Sequence, residues 1–250
     1  MADHDKHIAG FHLFVYSGPF RQKNILFTPV GMLQKVFFMF GLIAFYLAEG
    51  IPLNLLANEF MFSAHMLQQS LLLFVMPPLL LYGTPPWFIR AILPKSFVEK
   101  VLPLVIHPLL AVIVFNVLIT VYHYPAIFDY IMSDGGGGIV SNIYHLILLV
   151  SAFQMWWVLV CPLPELDRIP GIKKMAYIIV EGLLIYPVCI FIFFASKLLY
   201  KTYAQVPVVV SLFNPLEDQQ FGGVIMKFIQ EGTLIIALGF VIHRWYRKEM

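Results

Sequence analysis

Six apolar stretches, each long enough to cross a membrane, constrain this chain more than any other feature. They run over about residues 32–56, 62–82, 97–122, 139–161, 174–198 and 222–243. A bilayer's hydrocarbon core is about 30 Å thick and takes about 20 helical residues to span. Inside it every backbone N–H and C=O must find a partner within the protein, so only helices and closed barrels cross. Runs of this length select helix. Only 12% of the residues are charged and 60% are hydrophobic, against about 25% charged in a soluble domain. The expectation is all-α: a polytopic transmembrane helix bundle of six spans, one integral membrane domain over 1–250, with 1–30 as a polar N-terminal tail. Residues 11–20 are too short, and too interrupted at Gly18-Pro19, to make a seventh span. The breaks are turn formers: Gly83-Thr84-Pro85-Pro86, Asp134 with Gly135 to Gly138, Pro162 and Pro164, and Asn214-Pro215.

Basic residues orient the bundle. Arg21 and Lys23 precede the first span; Arg90, Lys95 and Lys100 surround the second connection; Arg168, Lys173 and Lys174 fill the fourth; Arg244, Arg247 and Lys248 close the chain. With six spans all of these share one side, which the positive-inside rule makes cytoplasmic, so both termini are expected there. Trp87, Tyr124, Tyr130, Tyr200, Tyr203, Trp245 and Tyr246 fall at the expected interfaces and are explained as an aromatic belt.

Several function classes fall away. A net charge of +2 gives no nucleic-acid footprint. Cys161 and Cys189 form neither a CxxC nor a zinc pattern and no disulfide framework. The start has no basic region leading into an apolar core, so no signal peptide is expected. No internal repeat points to a repeat-built transporter. Motifs for metalloprotease, serine hydrolase and phosphate-loop chemistry are absent, so no enzyme is expected.

The polar residues inside the spans carry the functional argument, because each is costly there. Ser63-Ala64-His65-Met66-Leu67-Gln68-Gln69 opens the second span. Imidazole suits copper, iron and zinc, and thioether favours Cu(I). His65 lies about one turn below the outer surface, His123 ends the third span on that side, and His145 lies about 9 Å into the fourth. Asp218 precedes the sixth span on the same side. These four are candidate metal ligands from four segments. Met66 is a weaker one, turned about 100° from His65. Gln69, Asn142 and Gln219 are candidates for supporting the ligands by hydrogen bonds. His107 stands apart, about 24 Å deeper than His123, as a second polar site, a proton route or a core contact. A lone histidine in a span is more often a hydrogen-bonded core residue than a ligand; convergence on one leaflet is what favours a metal. Lys227 and Glu231 are an i,i+4 pair expected to neutralise each other, while Glu49 and Glu181 are expected either to be protonated or to contact Lys35 or Lys197. At the N-terminus His4, with His7 and His12, could complete a square-planar nitrogen set for Cu(II), or form a solvated tail.

At Leu47 to Leu53, Phe62 to Gln69, Met76-Pro77-Pro78-Leu79-Leu80-Leu81-Tyr82-Gly83-Thr84-Pro85, His123, His145 and Asp218-Gln219-Gln220-Phe221-Gly222-Gly223, the chain resembles the CtaG proteins of caa(3)-type cytochrome c oxidase assembly in bacteria, over about residues 25–245. It departs from them in two places. Many relatives carry a second histidine where Gln69 stands, and members commonly have seven spans, the first of which this chain lacks. The resemblance implies a role in maturing the haem–copper oxidase, as a factor for the copper centre of its catalytic subunit. It implies that subunit and other assembly factors as partners, membrane lipid as surroundings, and the bacterial plasma membrane as location. A second copy of the chain is a further candidate partner. Cu(I), held by few and exchangeable ligands, is the expected cargo. Three alternatives compete: a b-type haem protein with axial histidines from two spans, a copper-importing carrier, and a scaffold in which the histidines are structural.

Overall fold

A computed structural model of the chain describes residues 29–132, 138–167, 169–204 and 213–249. Among these residues there is helix and no strand. In chain order the helices are α1 (Met32–Glu49), α2 (Leu53–Glu59), α3 (Phe62–Gly83), α4 (Pro86–Ile92), α5 (Phe97–Val105), α6 (Pro108–Tyr122), α7 (Pro125–Ile131), α8 (Ile139–Val160), α9 (Gly171–Phe193) and α10 (Pro215–Glu249). Among the described residues α1, α3, α8, α9 and α10 are long and apolar enough to cross a membrane. The pair α5 and α6 qualifies jointly, bent by 61° at its break, which gives five or six candidate spans. His4, His7, His12, Asp134, Gly135 and Arg168 lie outside the described residues.

Four boundaries differ from the sequence expectation, each for a local reason. The run over 32–56 stops at Glu49, because Gly50 and Pro52 end the helix and α2 starts afresh. The run over 97–122 is broken at His107, since Pro108 has no N–H to continue the ladder. The run over 174–198 starts earlier, bends at Ile185 ahead of Pro187, and ends at Phe193. The last helix begins at Pro215, so Asp218-Gln219-Gln220 is its first turns and not a loop.

The packing inverts that of a soluble protein. Leu33, Phe40, Leu104, Leu109, Leu146, Phe194 and Phe228 are exposed on the outside, while His65, Gln69, Asn116, His123, Glu181, Gln219 and Gln230 are buried. That is the arrangement a lipid solvent selects.

Near the proline breaks, cross-helix side chains donate to backbone carbonyls. Before Pro77 the helix α3 widens over Leu71–Val75, where the Met76 N–H bonds Leu71 O. The Leu73 carbonyl, four residues before Pro77, accepts from the Trp156 indole of α8 at 2.9 Å. At the α5–α6 break Val105 O accepts from Gln154 Nε2 at 2.6 Å. Beside Pro187, Gly182 O accepts from Lys227 Nζ at 2.7 Å and Glu181 O from Gln230 Nε2 at 3.1 Å. Lys227 also meets Glu231 Oε1 at 2.5 Å, as the i,i+4 spacing suggested. The expected lysine partners of the lone acids are replaced by amides: Glu181 accepts from Asn116 Nδ2 at 2.9 Å, and Glu49 from Asn54 Nδ2 at 3.1 Å.

One end of the bundle is basic and ion-paired. Arg90 and Glu165 meet at 2.8 Å, Lys174 and Asp167 at 2.7 Å, and Arg244 reaches Asp167 at 3.6 Å. These contacts put the second connection, the fourth connection and the end of α10 together. The opposite end holds the candidate site.

Candidate metal centre

The site begins with the start of α3. An isolated helix leaves its first N–H groups without partners. Here a carboxylate from another helix takes them: Asp218 Oδ2 accepts from the N–H of Phe62 at 2.8 Å and of Ser63 at 3.3 Å. The Ser63 hydroxyl donates to Asp218 Oδ1. A negative charge at this position also complements the helix dipole. The rest of the Asp218 to Gly223 segment completes the junction. Gln219 Oε1 accepts from the Leu199 N–H at 2.7 Å, and Gln220 Nε2 donates to Ala195 O at 3.0 Å. A side chain at Gly222 would come within 2.7 Å of Phe62 and 2.9 Å of Met66, and one at Gly223 would meet Ile192 at 3.1 Å, so both glycines allow close helix contact.

Held this way, His65 is fully buried one turn into α3. Its Nε2 lies 2.9 Å from the Tyr122 hydroxyl, at the end of α6. The same hydroxyl lies 2.8 Å from His145 Nε2, from α8. A phenol has one proton, so it donates to one imidazole and accepts from the other. His65 Nδ1 has no partner, whereas His145 Nδ1 faces the Ser141 hydroxyl at 3.4 Å. A buried N–H without an acceptor is the costlier orphan. The network therefore assigns His65 Nε2–H as donor to Tyr122, Tyr122 as donor to His145 Nε2, and His145 Nδ1–H toward Ser141.

Aromatic rings close the site. Phe128 of α7 packs edge-on against His65 at 5.3 Å and against Tyr122 at 5.3 Å between ring centres. Tyr200 stacks on Phe62 at 4.5 Å and donates to His123 O at 3.0 Å. Asp129 accepts from the N–H of Lys201 and Thr202 at 3.2 and 3.1 Å, which ties the segment after α9 across this end.

The structure thus brings His65 and His145 together on one oxygen, with His123 beside them: its ring lies 5.2 Å from that of Tyr122. His123 Nδ1 donates to Ile119 O at 2.7 Å, and its Nε2 has no partner. Among the described residues no three of His, Cys, Asp and Glu stand close enough to hold a metal as they are. The expected four-residue set is therefore not assembled. Asp218 is engaged in capping α3, and His123 is turned to its own helix. Met66 packs toward Gly222. Gln69 is buried, with its amide against the Tyr122 hydroxyl. Gln219 supports the junction of Asp218 through Leu199, and its Nε2 has no hydrogen-bond partner. Asn142 is exposed on α8, and its neighbour Ser141 faces His145 Nδ1 at 3.4 Å. His107 is exposed at the α5–α6 break, outside the site.

Sequence reasoning missed two residues. Tyr122 sits next to His123, and nothing in its spacing singles it out. Met132, after α7, places its sulfur 3.8 Å from the Tyr122 hydroxyl and 3.9 Å from that of Ser141. The short α7, which folds Met132 back over Tyr122, could not be seen as an apolar span.

No curated protein and no solved structure matches the chain. One family description does: the model of the cytochrome c oxidase caa3 assembly factor (Caa3_CtaG) matches residues 17–248, nearly the whole chain, and the chain belongs to that family.

Proposed function

We propose that this assembly factor holds copper as Cu(I) and hands it to the haem–copper centre of the oxidase catalytic subunit. One observation carries the reading: imidazole nitrogens from two separate helices, His65 Nε2 and His145 Nε2, converge on a single buried oxygen. The donor chemistry fits the cargo. Imidazole is a good copper ligand, and Cu(I) accepts the few, exchangeable donors that transfer requires. The unpartnered His65 Nδ1 and His123 Nε2 are what a site poised to rearrange leaves behind.

In this reading the α5–α6 pair is one bent crossing, so the chain has six spans. The end with Arg90, Lys95, Lys174 and Arg244 faces the cytoplasm, as do both termini, and the histidines face outward across the bacterial plasma membrane. The protein acts as a carrier in assembly, with the catalytic subunit as recipient, and catalyses no reaction. Copper is favoured over haem because one phenol fills the space between the two imidazoles, far less than a macrocycle between axial ligands needs.

The test is the metal content of the purified full chain. Wild type carries copper, His65→Ala carries none, and neither shows a haem Soret band. Equal copper in both would sink the site.

A further inference from the structure

Resting on that reading, we propose that the Tyr122 hydroxyl occupies the position of the metal in the empty protein, and that Met132 supplies the third donor when copper displaces it.

The hydroxyl stands 2.9 Å and 2.8 Å from two imidazole nitrogens that point at it from α3 and α8. Nitrogen-to-metal bonds are about 2.0 Å long. An ion in place of the hydroxyl therefore needs each ring to move by less than an ångström. The Met132 sulfur is already on the third side, 3.8 Å from that oxygen. Methionine has three rotatable bonds and adapts its sulfur position readily. Met132 is also buried, so its thioether serves no solvent-facing purpose.

The donor set is two neutral nitrogens and one neutral sulfur, with no carboxylate. Asp218 stays with the start of α3. A divalent ion in this apolar pocket would carry two uncompensated charges, and a monovalent one carries one. Softness and charge both select Cu(I) over Zn(II). On loading, His65 moves its ring proton from Nε2 to Nδ1, which has no partner and can take it. No proton leaves the protein, and the neutral phenol swings aside with its own.

The placeholder keeps two buried imidazoles hydrogen-bonded when no metal is present. Its cost is affinity: copper must first break those bonds. That suits a protein that has to release its cargo.

The experiment titrates Cu(I) into the purified full chain against a chromophoric Cu(I) chelator, and Zn(II) in parallel. Tyr122→Phe keeps the ring and removes the displaced hydroxyl; it binds Cu(I) about tenfold more tightly. Met132→Leu keeps the volume and removes the sulfur; it binds Cu(I) about tenfold more weakly, with Zn(II) binding changed less than about threefold. X-ray absorption at the copper edge of selenomethionine-labelled wild type shows one selenium neighbour, a readout that depends on no variant folding. If His65→Ala abolishes copper binding while both other variants bind as wild type does, the inference fails and the copper reading stands. Weaker binding by Tyr122→Phe, or a phenolate-to-copper absorption band, would make Tyr122 a ligand and overturn the placeholder. Wild type that takes up no Cu(I) overturns both.

Discussion

At the proline breaks the carbonyls of Leu73, Val105, Glu181 and Gly182 each have a donor from another helix. Around Tyr122, His65 Nδ1 and His123 Nε2 have none. Both regions are buried and both lie within the bundle, so location does not explain the contrast. Backbone near a helix break has to be paired for the helix to survive in lipid, and Trp156, Gln154, Gln230 and Lys227 are fixed structural partners. On the proposed function, a site that exchanges a ligand cannot have all its donors committed. Unpaired side-chain atoms also occur at Asn116, Trp157, Glu181 and Gln219, so what distinguishes the site is that two of them belong to histidines set around one phenol.

The contrast breaks most severely if substitutions at the proline breaks leave stability untouched. Lys227 Nζ serves Glu231, Gly182 O and Gln230 at 2.5, 2.7 and 3.0 Å. Lys227→Leu should cost about 3 kcal/mol, since it strands an acid and a carbonyl together. Unfolding in detergent micelles measures it, and adding Glu231→Leu should recover part of the loss. Copper binding should stay as in wild type.

Asp218 is where the two regions touch, because it caps the helix that presents His65. Asp218→Ala should cost about 2 kcal/mol through the uncapped N–H groups of Phe62 and Ser63, and weaken copper binding indirectly. Asp218→Asn, which retains a side-chain acceptor, should restore most of both properties. An Asn variant with restored stability and no copper binding would make the carboxylate a ligand and merge the regions. Trp156→Phe comes next. It leaves Leu73 O without its 2.9 Å donor, for a loss of about 1–2 kcal/mol in the same unfolding measurement.

A smaller loss is expected at Gln69, whose buried amide lies against the Tyr122 hydroxyl. Gln69→Leu should cost about 1 kcal/mol and lower the yield of mature oxidase in cells. A Gln69→Leu variant as stable as wild type would show that the amide contributes no bond to the cluster.

How these regions read from sequence follows from the range of the forces involved. Helix and membrane were legible because hydrophobic runs and proline positions act locally. The convergence of His65 and His145 was legible as sidedness, since span counting fixes which end each residue occupies. The part played by Asp218 was not. Capping another helix and binding a metal both call for a carboxylate at that end, and only the position of the Phe62 and Ser63 N–H groups separates them. Tyr122 and Met132 were hidden for another reason: α7 is too short to register as a hydrophobic run, and it decides what lies over the histidines. The polar residues that donate near the proline breaks were equally hidden, because sequence shows the break but not the donor that reaches it.

The smallest effect lies at the basic end and calibrates the rest. Arg90 Nε and Nη2 donate to Glu165 at 3.1, 3.0 and 2.8 Å, and these bonds hold the Glu165 carboxyl below its ordinary value. A carboxyl lowered in the folded state contributes stability above its unfolded pKa, and loses it as pH falls through the folded one. The pair is substantially exposed, with side-chain accessibilities of 41% and 45%. Solvent screening therefore limits its worth to about 0.2–1 kcal/mol. Glu165→Gln should lower the unfolding midpoint slightly at neutral pH, and the difference from wild type should vanish once the pH has dropped below the usual carboxylate range. It should also shrink in high salt. A Glu165→Gln loss as large as that of Lys227→Leu would mean that ion pairing at the membrane edge, and not the pairing of carbonyls within it, dominates the stability of this bundle.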